Sequence, residues 1–295
     1  MIDKPDNFLL KDKMLRTGLI GRAITKSRSP WLHEQEARAQ GLDLSYTLFD
    51  FDELGLTDGG LGDVLEQLRD QGYCGVNVTY PFKQAIMPLL DEIAASAAMV
   101  GAVNTIAIRE NRLIGHNTDM EGFRDSVRDG LNGVAIDRVL QLGAGGAGSA
   151  VACALLSLGV NRLDIADVDL DRARSLVAKL ENQFGPGRAV SRDLLMLKTD
   201  DVDGIVNATP MGMVAHPGSA IASSLISANH WVADIVYVPI ETQLLRIARE
   251  KGCRVLDGSG MVTVQAAKAF EIMTGHFADI GRMHESFAGR SSLDG

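Results

Sequence analysis

Three glycines at a fixed spacing follow a short apolar run near the middle of the chain. Gly143, Gly145 and Gly148 fill the glycine places of GxGxxG, and an apolar segment, Ala150–Leu156, comes directly after them. This order predicts a strand, a tight turn and a helix start, where the backbone can approach a pyrophosphate and free N–H groups face the anion. A bare glycine turn is the alternative until its context is known. The residues of the turn predicted to bind a dinucleotide are Gly143, Ala144, Gly145, Gly146, Ala147 and Gly148.

An acidic residue supplies that context. Asp167 ends a second predicted strand, Leu163–Asp167, and lies 19 residues beyond Gly148, near the spacing of about 20 residues at which an acid binds a ribose 2′-hydroxyl. A carboxylate at this place accepts hydrogen bonds from the hydroxyl and repels a 2′-phosphate. A solvated acid at a strand end is the alternative. Together with the glycine turn, Asp167 favours NAD over NADP.

Polar residues also follow a predicted strand in the first half of the chain. Asn77, Thr79 and Lys83 lie at or just beyond the end of strand Cys74–Thr79, and open α/β sheets bind ligands at the carboxyl ends of their strands. These side chains are therefore candidates for a ligand site. A lysine in such a place is usually only solvated.

Two predicted helix starts carry a polar residue that is a candidate N-cap. Ser29 followed by Pro30 is a strong helix-start signal that predicts Ser29 as the N-cap. Asp119 is either the N-cap of a helix over Met120–Leu131 or an acid directed at a ligand, and the residue taken alone favours the cap.

Strands and helices alternate along the chain, which predicts parallel strands with helical crossovers. The predicted strands are Leu15–Gly21, Leu44–Phe49, Cys74–Thr79, Ala102–Ile108, Leu113–Asn117, 139–142, 163–167, 203–207, Trp231–Val236 and Arg254–Leu256. A hairpin is expected around Glu110 and Asn111. Two final helices, Met261–Met273 and a second one to about Phe287, are expected to pack on the first domain, after a hinge at Gly258–Gly260.

The predicted fold is α/β with two domains: an α/β substrate-binding domain and a Rossmann-type dinucleotide-binding domain, with C-terminal helices returning to the first. The substrate-binding domain covers 1–119 and is completed by 261–295, and the NAD-binding domain covers 120–260. Loops at the strand ends of the second domain provide the other predicted cofactor-binding residues, which are Asn207, Thr209, Met211, Val236 and Gly260.

Composition narrows the classes of function. The chain has 295 residues, of which 46% are hydrophobic, so it can bury the cores of two domains. Its net charge of −9 and scattered basic residues argue against nucleic acid or an anionic membrane surface as a partner. The six histidines and three cysteines show no metal-binding spacing, so no metal is expected.

The cysteines and the first residues bear on the compartment. Cys74, Cys153 and Cys253 lie in apolar or strand-like surroundings typical of buried free thiols in a reducing compartment. Met1–Lys13 is polar and contains no apolar core of a signal peptide, and no run reaches the length of about 20 apolar residues that a membrane span needs. We expect a cytoplasmic location.

Several separated motifs carry a resemblance to a known family. They are Ser27–Pro30 as Ser-x-Ser-Pro, Asn77–Lys83 as NVTxPxK, Gly101–Thr105 as GAVNT and Asn117–Asp119 as NTD. On these residues the chain resembles the shikimate dehydrogenase family, and within it the quinate/shikimate dehydrogenases that use NAD. The likeness runs from about Leu15 to Phe287.

The resemblance implies a site and a reaction. It assigns Lys83 and Asp119 as the catalytic pair that handles the proton while a hydride passes from a ring alcohol to nicotinamide; which of the two takes the proton first stays open. The residues that it assigns to the substrate, a small cyclic hydroxy acid, are Ser27, Ser29, Asn77, Thr79, Asn104, Tyr237 and Gln265. The implied activity is oxidation of shikimate and quinate.

Some residues depart from the family pattern, and they bear on which cofactor and which substrate the chain prefers. NADP-using members typically carry Asn-Arg-Thr where this chain has Asp167–Asp169, so the arginine that pairs with a 2′-phosphate is replaced by Val168. Lys26 and Met120 stand where the family often has histidine and glycine. These changes leave the preference between shikimate and quinate open, and an amino-substituted analogue stays an alternative substrate.

Two other functions remain alternatives at the level of sequence. One is a ligand-sensing protein without activity, against which the retention of both Lys83 and Asp119 speaks. The other is a dehydrogenase of a different substrate such as a folate derivative, although the pair Ser27 and Ser29 suits a small carboxylate. The chain is expected to act as a monomer or a homodimer.

Overall fold

The structure, a computed structural model, describes residues 14–291. The predictions made for Met1–Lys13, and for the last four residues of 261–295, lie outside the described residues. The strands are β1 Leu15–Gly21, β2 Leu44–Asp50, β3 Gly75–Val78, β4 Glu92–Ile93, β5 Thr105–Arg109, β6 Arg112–His116, β7 Arg138–Leu142, β8 Arg162–Ala166, β9 Ala189–Arg192, β10 Gly204–Asn207, β11 Trp231–Asp234 and β12 Arg254–Leu256. The helices are α1 Ser29–Ala39, α2 Leu61–Asp70, α3 Phe82–Ala85, α4 Ala95–Val100, α5 Asp119–Gly130, α6 Gly146–Ser157, α7 Leu170–Phe184, α8 Gln243–Glu250, α9 Ser259–Thr274 and α10 Ile280–Ser291.

The chain divides into two compact units. Within the described residues, the first unit comprises 14–97, 103–116 and 266–291, and the second comprises 98–102 and 117–265. The sequence prediction sets its boundaries after residues 119 and 260. Each unit contains one six-stranded sheet, and the predicted α/β fold with two domains is confirmed.

The sheet of the first unit has the strand order β2-β1-β3-β5-β6-β4. β1 pairs in parallel with β2 and β3, whereas β5 runs antiparallel to β3 and β6. The predicted hairpin is present, and Glu110 and Asn111 at its turn have φ angles of 48° and 64°. Because β5 is antiparallel to β3, the start of β5 lies at the same edge as the ends of β1 and β3. The polar residues at the ends of β1 and β3 and at the start of β5 therefore lie at one edge of the sheet.

The last part of the chain completes the first unit. The second half of α9 packs on the sheet, where Ala269 and Met273 join a buried cluster with Leu19 and Tyr46. The helix α10 is fastened to α1, because the Arg282 guanidinium donates to both oxygens of the buried Glu36 carboxylate at 2.6 and 2.7 Å. The guanidinium of Arg109 also donates to the Ile272 and Met273 carbonyls.

The sheet of the second unit is entirely parallel, with the order β12-β11-β10-β7-β8-β9. The chain starts at β7, runs outward through β8 and β9, and then returns to β10 on the other side of β7. The apolar segment Ala150–Leu156 of α6 is buried at the centre of the unit's core. β7 is thus the point where the strand order reverses, which is where doubly wound sheets bind ligands.

Three elements have no counterpart in the sequence prediction. They are the two-residue strand β4, the helix α4 and the edge strand β9. β4 is too short to show a period, and β9 alternates weakly and ends in the polar Ser191 and Arg192. The predicted hinge Gly258–Gly260 is instead the start of α9. Across residues 14–291, no helix combines the length and apolar character that crossing a membrane requires.

Candidate active site

The glycine turn joins β7 to α6 by close backbone packing. Gly143 has a φ angle of 100°, and a Cβ atom there would lie 2.7 Å from the Ala208 carbonyl oxygen. A Cβ atom on Gly148 would lie 2.4 Å from the Gly143 carbonyl oxygen. At Gly145, the N-cap of α6, a Cβ atom would have nothing within 4 Å. The turn is therefore closed on the protein side and open in front of the helix start, which fits a pyrophosphate.

A buried glutamine supports the turn. The Gln141 side chain is fully buried, and its Nε2 donates to the carbonyls of Gly143 and Gly148, both at 2.8 Å. It ties the beginning of the turn to the first turn of α6. The sequence analysis did not single out Gln141, although a polar residue inside the apolar run Val139–Leu142 was a usable signal.

Asp167 lies directly after β8 and faces the glycine turn. Its Oδ2 accepts the N–H of Ala144 at 2.7 Å, and its Oδ1 accepts the N–H of Asp169 at 2.9 Å. A guanidinium nitrogen of Arg172 lies 3.4 Å from Oδ1. Val168, at the position of the arginine found in NADP-using members, is 91% exposed. The carboxylate thus joins the end of β8 to the glycine turn.

The other predicted cofactor residues lie in the same unit. Asn207, Thr209 and Met211 form one hydrogen-bonded loop after β10, and Val236 follows β11. Gly260 lies in the first turn of α9, where a Cβ atom would meet the Ser126 Oγ at 2.3 Å. Any larger residue at this position would therefore displace the Ser126 side chain of α5.

Asn77 and Asn104 meet at the edge of the first unit's sheet where β3 ends and β5 begins. The Asn77 amide nitrogen donates to the Asn104 carbonyl at 3.2 Å and to the Thr105 hydroxyl at 3.0 Å, and its oxygen accepts the Tyr46 hydroxyl at 2.9 Å. The Thr105 hydroxyl in turn donates to the Asn104 side chain at 3.0 Å. Tyr46 and Thr105 are members of this network that the sequence analysis missed, although Thr105 stands in the quoted GAVNT motif.

A buried histidine lies behind this network. The His33 ring packs on Tyr46 at 4.8 Å and on Phe270 at 5.9 Å between ring centroids. It is 1% exposed, and within residues 14–291 its Nδ1 has no hydrogen-bond partner. Burial lowers the pKa of His33 to about 3, so the ring is neutral at physiological pH. His33 thus packs against Tyr46 as an uncharged ring.

Thr79 and Lys83 follow β3 at the same edge. The Thr79 N–H donates to the Ile20 carbonyl at 2.9 Å, which fixes it beside the end of β1. Lys83 lies in the short helix α3, is half-buried, and its carbonyl accepts the N–H of Val103 at 2.7 Å. Since Val103 immediately precedes Asn104, the backbone of α3 is held next to the start of β5.

Ser27 lies in the loop between β1 and α1, Ser29 begins α1, and the prediction of Ser29 as the N-cap is wrong. Ser29 is the first residue of α1, and no side chain caps the helix at its N-cap, Arg28. Instead the Ser27 Oγ accepts the N–H of Ser29 at 3.2 Å. The loop is fixed by Asp50, whose carboxylate accepts the N–H groups of Ala23 and Ile24 at 3.1 and 2.7 Å.

The predicted N-cap of α5 is also wrong. Asp119 is the first residue of the helix, and the Asn117 side chain accepts the N–H groups of Asp119 and Met120 at 3.1 and 3.3 Å. The Asp119 carboxylate is thereby released from the capping role, although the residue is only 5% exposed. Asp119 belongs to the second unit, as do the half-buried Tyr237 and Gln265.

Comparison with known proteins shows which family this chain is similar to. The family model of the shikimate dehydrogenase substrate binding domain matches residues 19–106. The shikimate dehydrogenase (NADP(+)) of Pseudarthrobacter chlorophenolicus is 48% identical over 92% of this chain and 93% of its own length. The quinate/shikimate dehydrogenase (NAD(+)) of Corynebacterium efficiens is 45% identical over 92% and 96%. The solved structure of quinate dehydrogenase from Corynebacterium glutamicum in complex with NAD has a TM-score of 0.87 at 43% identity, over 94% of this chain and 100% of that chain.

Proposed function

Because this chain belongs to the shikimate dehydrogenase family, we propose that it oxidises shikimate to 3-dehydroshikimate and quinate to 3-dehydroquinate, reversibly, with NAD preferred over NADP. The chain is an oxidoreductase of the shikimate/quinate dehydrogenase class that uses a nicotinamide dinucleotide. Similar relatives are named for either dinucleotide. The proposed preference for NAD over NADP therefore has to be argued from residues of this chain.

One observation supports NAD in particular. The Asp167 carboxylate is held beside the glycine turn by the N–H of Ala144 at 2.7 Å, and the neighbouring Val168 offers no charge. A carboxylate accepts hydrogen bonds from a ribose hydroxyl and repels a phosphate. Arg172 already lies near Asp167 and Asp169, which reduces its ability to attract a 2′-phosphate.

The residues of the second unit proposed to hold the dinucleotide are those of the glycine turn together with Asp167, Asn207, Thr209, Met211, Val236 and Gly260. The open space at Gly145 and the N–H groups of the first turn of α6 fit the pyrophosphate. When bound, the dinucleotide supplies the nicotinamide C4 that accepts the hydride. We assign this unit, the predicted 120–260, to the dinucleotide, and the first unit with its C-terminal helices to the substrate.

Lys83 and Asp119 are the groups proposed to move the proton. As the ring C–H bond gives up its hydride, the hydroxyl oxygen loses its proton, and an amine or carboxylate within reach takes it. If Asp119 takes the proton, the ammonium of Lys83 stabilises the negative charge that develops on this oxygen. A positioned proton-transfer group of this kind contributes about 10²- to 10⁴-fold in rate.

The hydroxyls of Ser27 and Ser29 are proposed to donate to the substrate carboxylate, and Asn77, Thr79, Asn104, Tyr237 and Gln265 to contact the ring hydroxyls. The hydrogen bonds of Asn77 to Tyr46 and Thr105 support a fixed orientation of its amide. Ser29 at the start of α1 adds the positive end of the helix dipole, which favours an anion.

Initial rates with shikimate and quinate, each with NAD and NADP, test the proposed function. We expect turnover with both acids and a higher kcat/KM with NAD than with NADP. Faster turnover with NADP would contradict the cofactor assignment. No change at the NADH absorbance band with either acid would instead favour a ligand-sensing protein without activity.

A further inference from the structure

A buried carboxylate that the sequence analysis did not single out, Asp234, lies at the end of β11. Asp234 is the last residue of β11 and is paired in register with Asn207, the last residue of β10. It is 2% exposed, and burial raises the pKa of its carboxyl to about 6. Burial of a charge is costly, so the hydrogen bonds that Asp234 accepts must offset the lost hydration.

The Asp234 carboxylate fastens the segment that follows its own strand. Its Oδ1 accepts the N–H of Val236 at 3.0 Å, and its Oδ2 accepts the Thr242 hydroxyl at 2.7 Å. Thr242 is also the N-cap of α8, because its Oγ1 accepts the N–H of Leu245 at 3.3 Å. Both ends of the segment 235–242 are therefore held by one side chain.

The same carboxylate holds the loop after β10 through Asn207. The Asn207 amide nitrogen donates to Asp234 Oδ1 and to the Met211 carbonyl, both at 2.9 Å. The Asn207 oxygen accepts the N–H and the hydroxyl of Thr209 at 3.1 and 2.6 Å. A Cβ atom on Gly212 would lie 3.7 Å from Asp234 Oδ2. The loop 208–212 is thus wrapped around Asn207 and packed near Asp234.

The strand order indicates which part of a dinucleotide these segments face. β10 neighbours β7 on the side opposite β8, and a doubly wound sheet binds a dinucleotide across the point where the strand order reverses. The adenosine half lies toward β8, whose end carries Asp167. The nicotinamide half then extends over the ends of β10 and β11.

We propose that Asp234 is a positioning residue for the nicotinamide half of the dinucleotide, because it fixes the segments 208–212 and 235–242 in one arrangement. This inference rests on the proposed function, since it takes NAD as the ligand. Asp234 acts through Asn207, Val236 and Thr242. Of the two halves of the dinucleotide, its effect is therefore expected on the nicotinamide half, which faces the segments 208–212 and 235–242.

Calorimetric binding of NADH and of ADP-ribose, which lacks nicotinamide, tests the inference on Asp234→Asn. The variant keeps the shape of the side chain and one acceptor oxygen but loses the charge that accepts three donors. We expect the affinity for NADH to fall about tenfold and the affinity for ADP-ribose to stay unchanged. Equal NADH affinity, or an equal loss for both ligands, would overturn the positioning role.

Thr242→Val provides a second test, with Thr199→Val as its matched control. Thr199 is a buried threonine of the same unit whose hydroxyl donates to the Leu225 carbonyl at 2.6 Å, outside the Asp234 network. We expect Thr242→Val to raise KM for NAD and Thr199→Val to leave it unchanged. A wild-type chain that binds no NADH would overturn the proposed function as well, whereas NADH binding that survives both Asp234→Asn and Thr242→Val overturns the inference alone.

Discussion

The Asp167 carboxylate and the backbone N–H of Ala144 are joined by a hydrogen bond of 2.7 Å. Asp167→Asn keeps an oxygen for this N–H but removes the negative charge. We expect kcat/KM with NAD to fall about tenfold, which corresponds to about 1.4 kcal/mol, and kcat/KM with NADP to rise. Steady-state kinetics with both dinucleotides measures the change. Asp171→Asn, at an exposed carboxylate in the first turn of α7, is the control, and an unchanged ratio in Asp167→Asn would exclude Asp167 as the discriminating residue.

Lys83→Ala should lower kcat by about 10²- to 10⁴-fold, because it removes a proposed proton-transfer group. The affinity for NADH should be retained, since Lys83 belongs to the first unit and the glycine turn to the second. Single-turnover rates and NADH titration separate the two effects. Gln84→Ala, at the exposed neighbouring position in α3, should leave kcat unchanged. Normal turnover in Lys83→Ala would remove Lys83 from the mechanism.

Ser27→Ala should raise KM for shikimate by about 10- to 100-fold, the range expected on losing a hydrogen bond to a charged group. KM for NAD should stay unchanged. The variant also loses the acceptor for the Ser29 N–H, so a melting curve must accompany the kinetics. Ser224→Ala, at an exposed position, is the control. A KM for shikimate equal to that of the wild type would argue against carboxylate binding by Ser27.

His33 predicts a loss of stability on acidification. Because burial lowers the pKa of His33 to about 3, the folded chain binds this proton less readily than the unfolded chain does. Its contribution to stability is complete above pH of about 6.5 and is lost as pH falls toward 3, by several kcal/mol. Denaturant unfolding at pH 5 and pH 8 should show a smaller difference for His33→Phe than for the wild type. An equal difference would contradict this role, and His284→Gln, at an exposed position, controls for surface effects.

Arg282→Ala should destabilise the first unit by about 2 kcal/mol, because it leaves the buried Glu36 carboxylate without its cation. Chemical denaturation measures the loss. Glu36→Gln in the Arg282→Ala background should recover part of it, since the uncompensated charge is then gone. Arg38→Ala, at an exposed position on the same helix α1, should cost far less. Equal losses for Arg38→Ala and Arg282→Ala would contradict the importance of the Glu36 pair.

The parts of the fold that the sequence predicts are those with a local signal. The glycine turn, the alternation of strands and helices, and the hairpin at Glu110 and Asn111 each follow from residues close together in the chain. β9 carries no such signal, because an edge strand that is only partly buried needs no regular apolar alternation.

The two incorrect N-caps share one physical cause. Ser29 and Asp119 have suitable side chains, but each is already the first residue of its helix. The oxygen that accepts their N–H belongs to Ser27 or Asn117, two residues earlier. Residue type predicts that a helix begins nearby, whereas the turn that precedes it decides which side chain accepts the bond.

Contacts between side chains on neighbouring or more distant strands of a sheet cannot be predicted from the sequence alone. Asp234 meets Asn207 only because β10 and β11 are aligned in register, and Tyr46 reaches Asn77 across β1. In the sequence Asp234 is a single polar residue among apolar neighbours, and Tyr46 stands between Ser45 and Thr47 with no sign of a partner. Their contributions become visible only when the strand order is known.

The first unit is built from segments that a ribosome makes far apart in time. Translation delivers β1 to β6 early, then residues 117–265 of the second unit, and only at the end the half of α9 that covers Leu19 and Tyr46. During that interval the apolar side chains of Leu19 and Tyr46 on the nascent sheet lack the helix that covers them in the folded chain. A chain that stops before residue 266 would lack Ala269 and Met273 and leave Leu19 and Tyr46 without this cover.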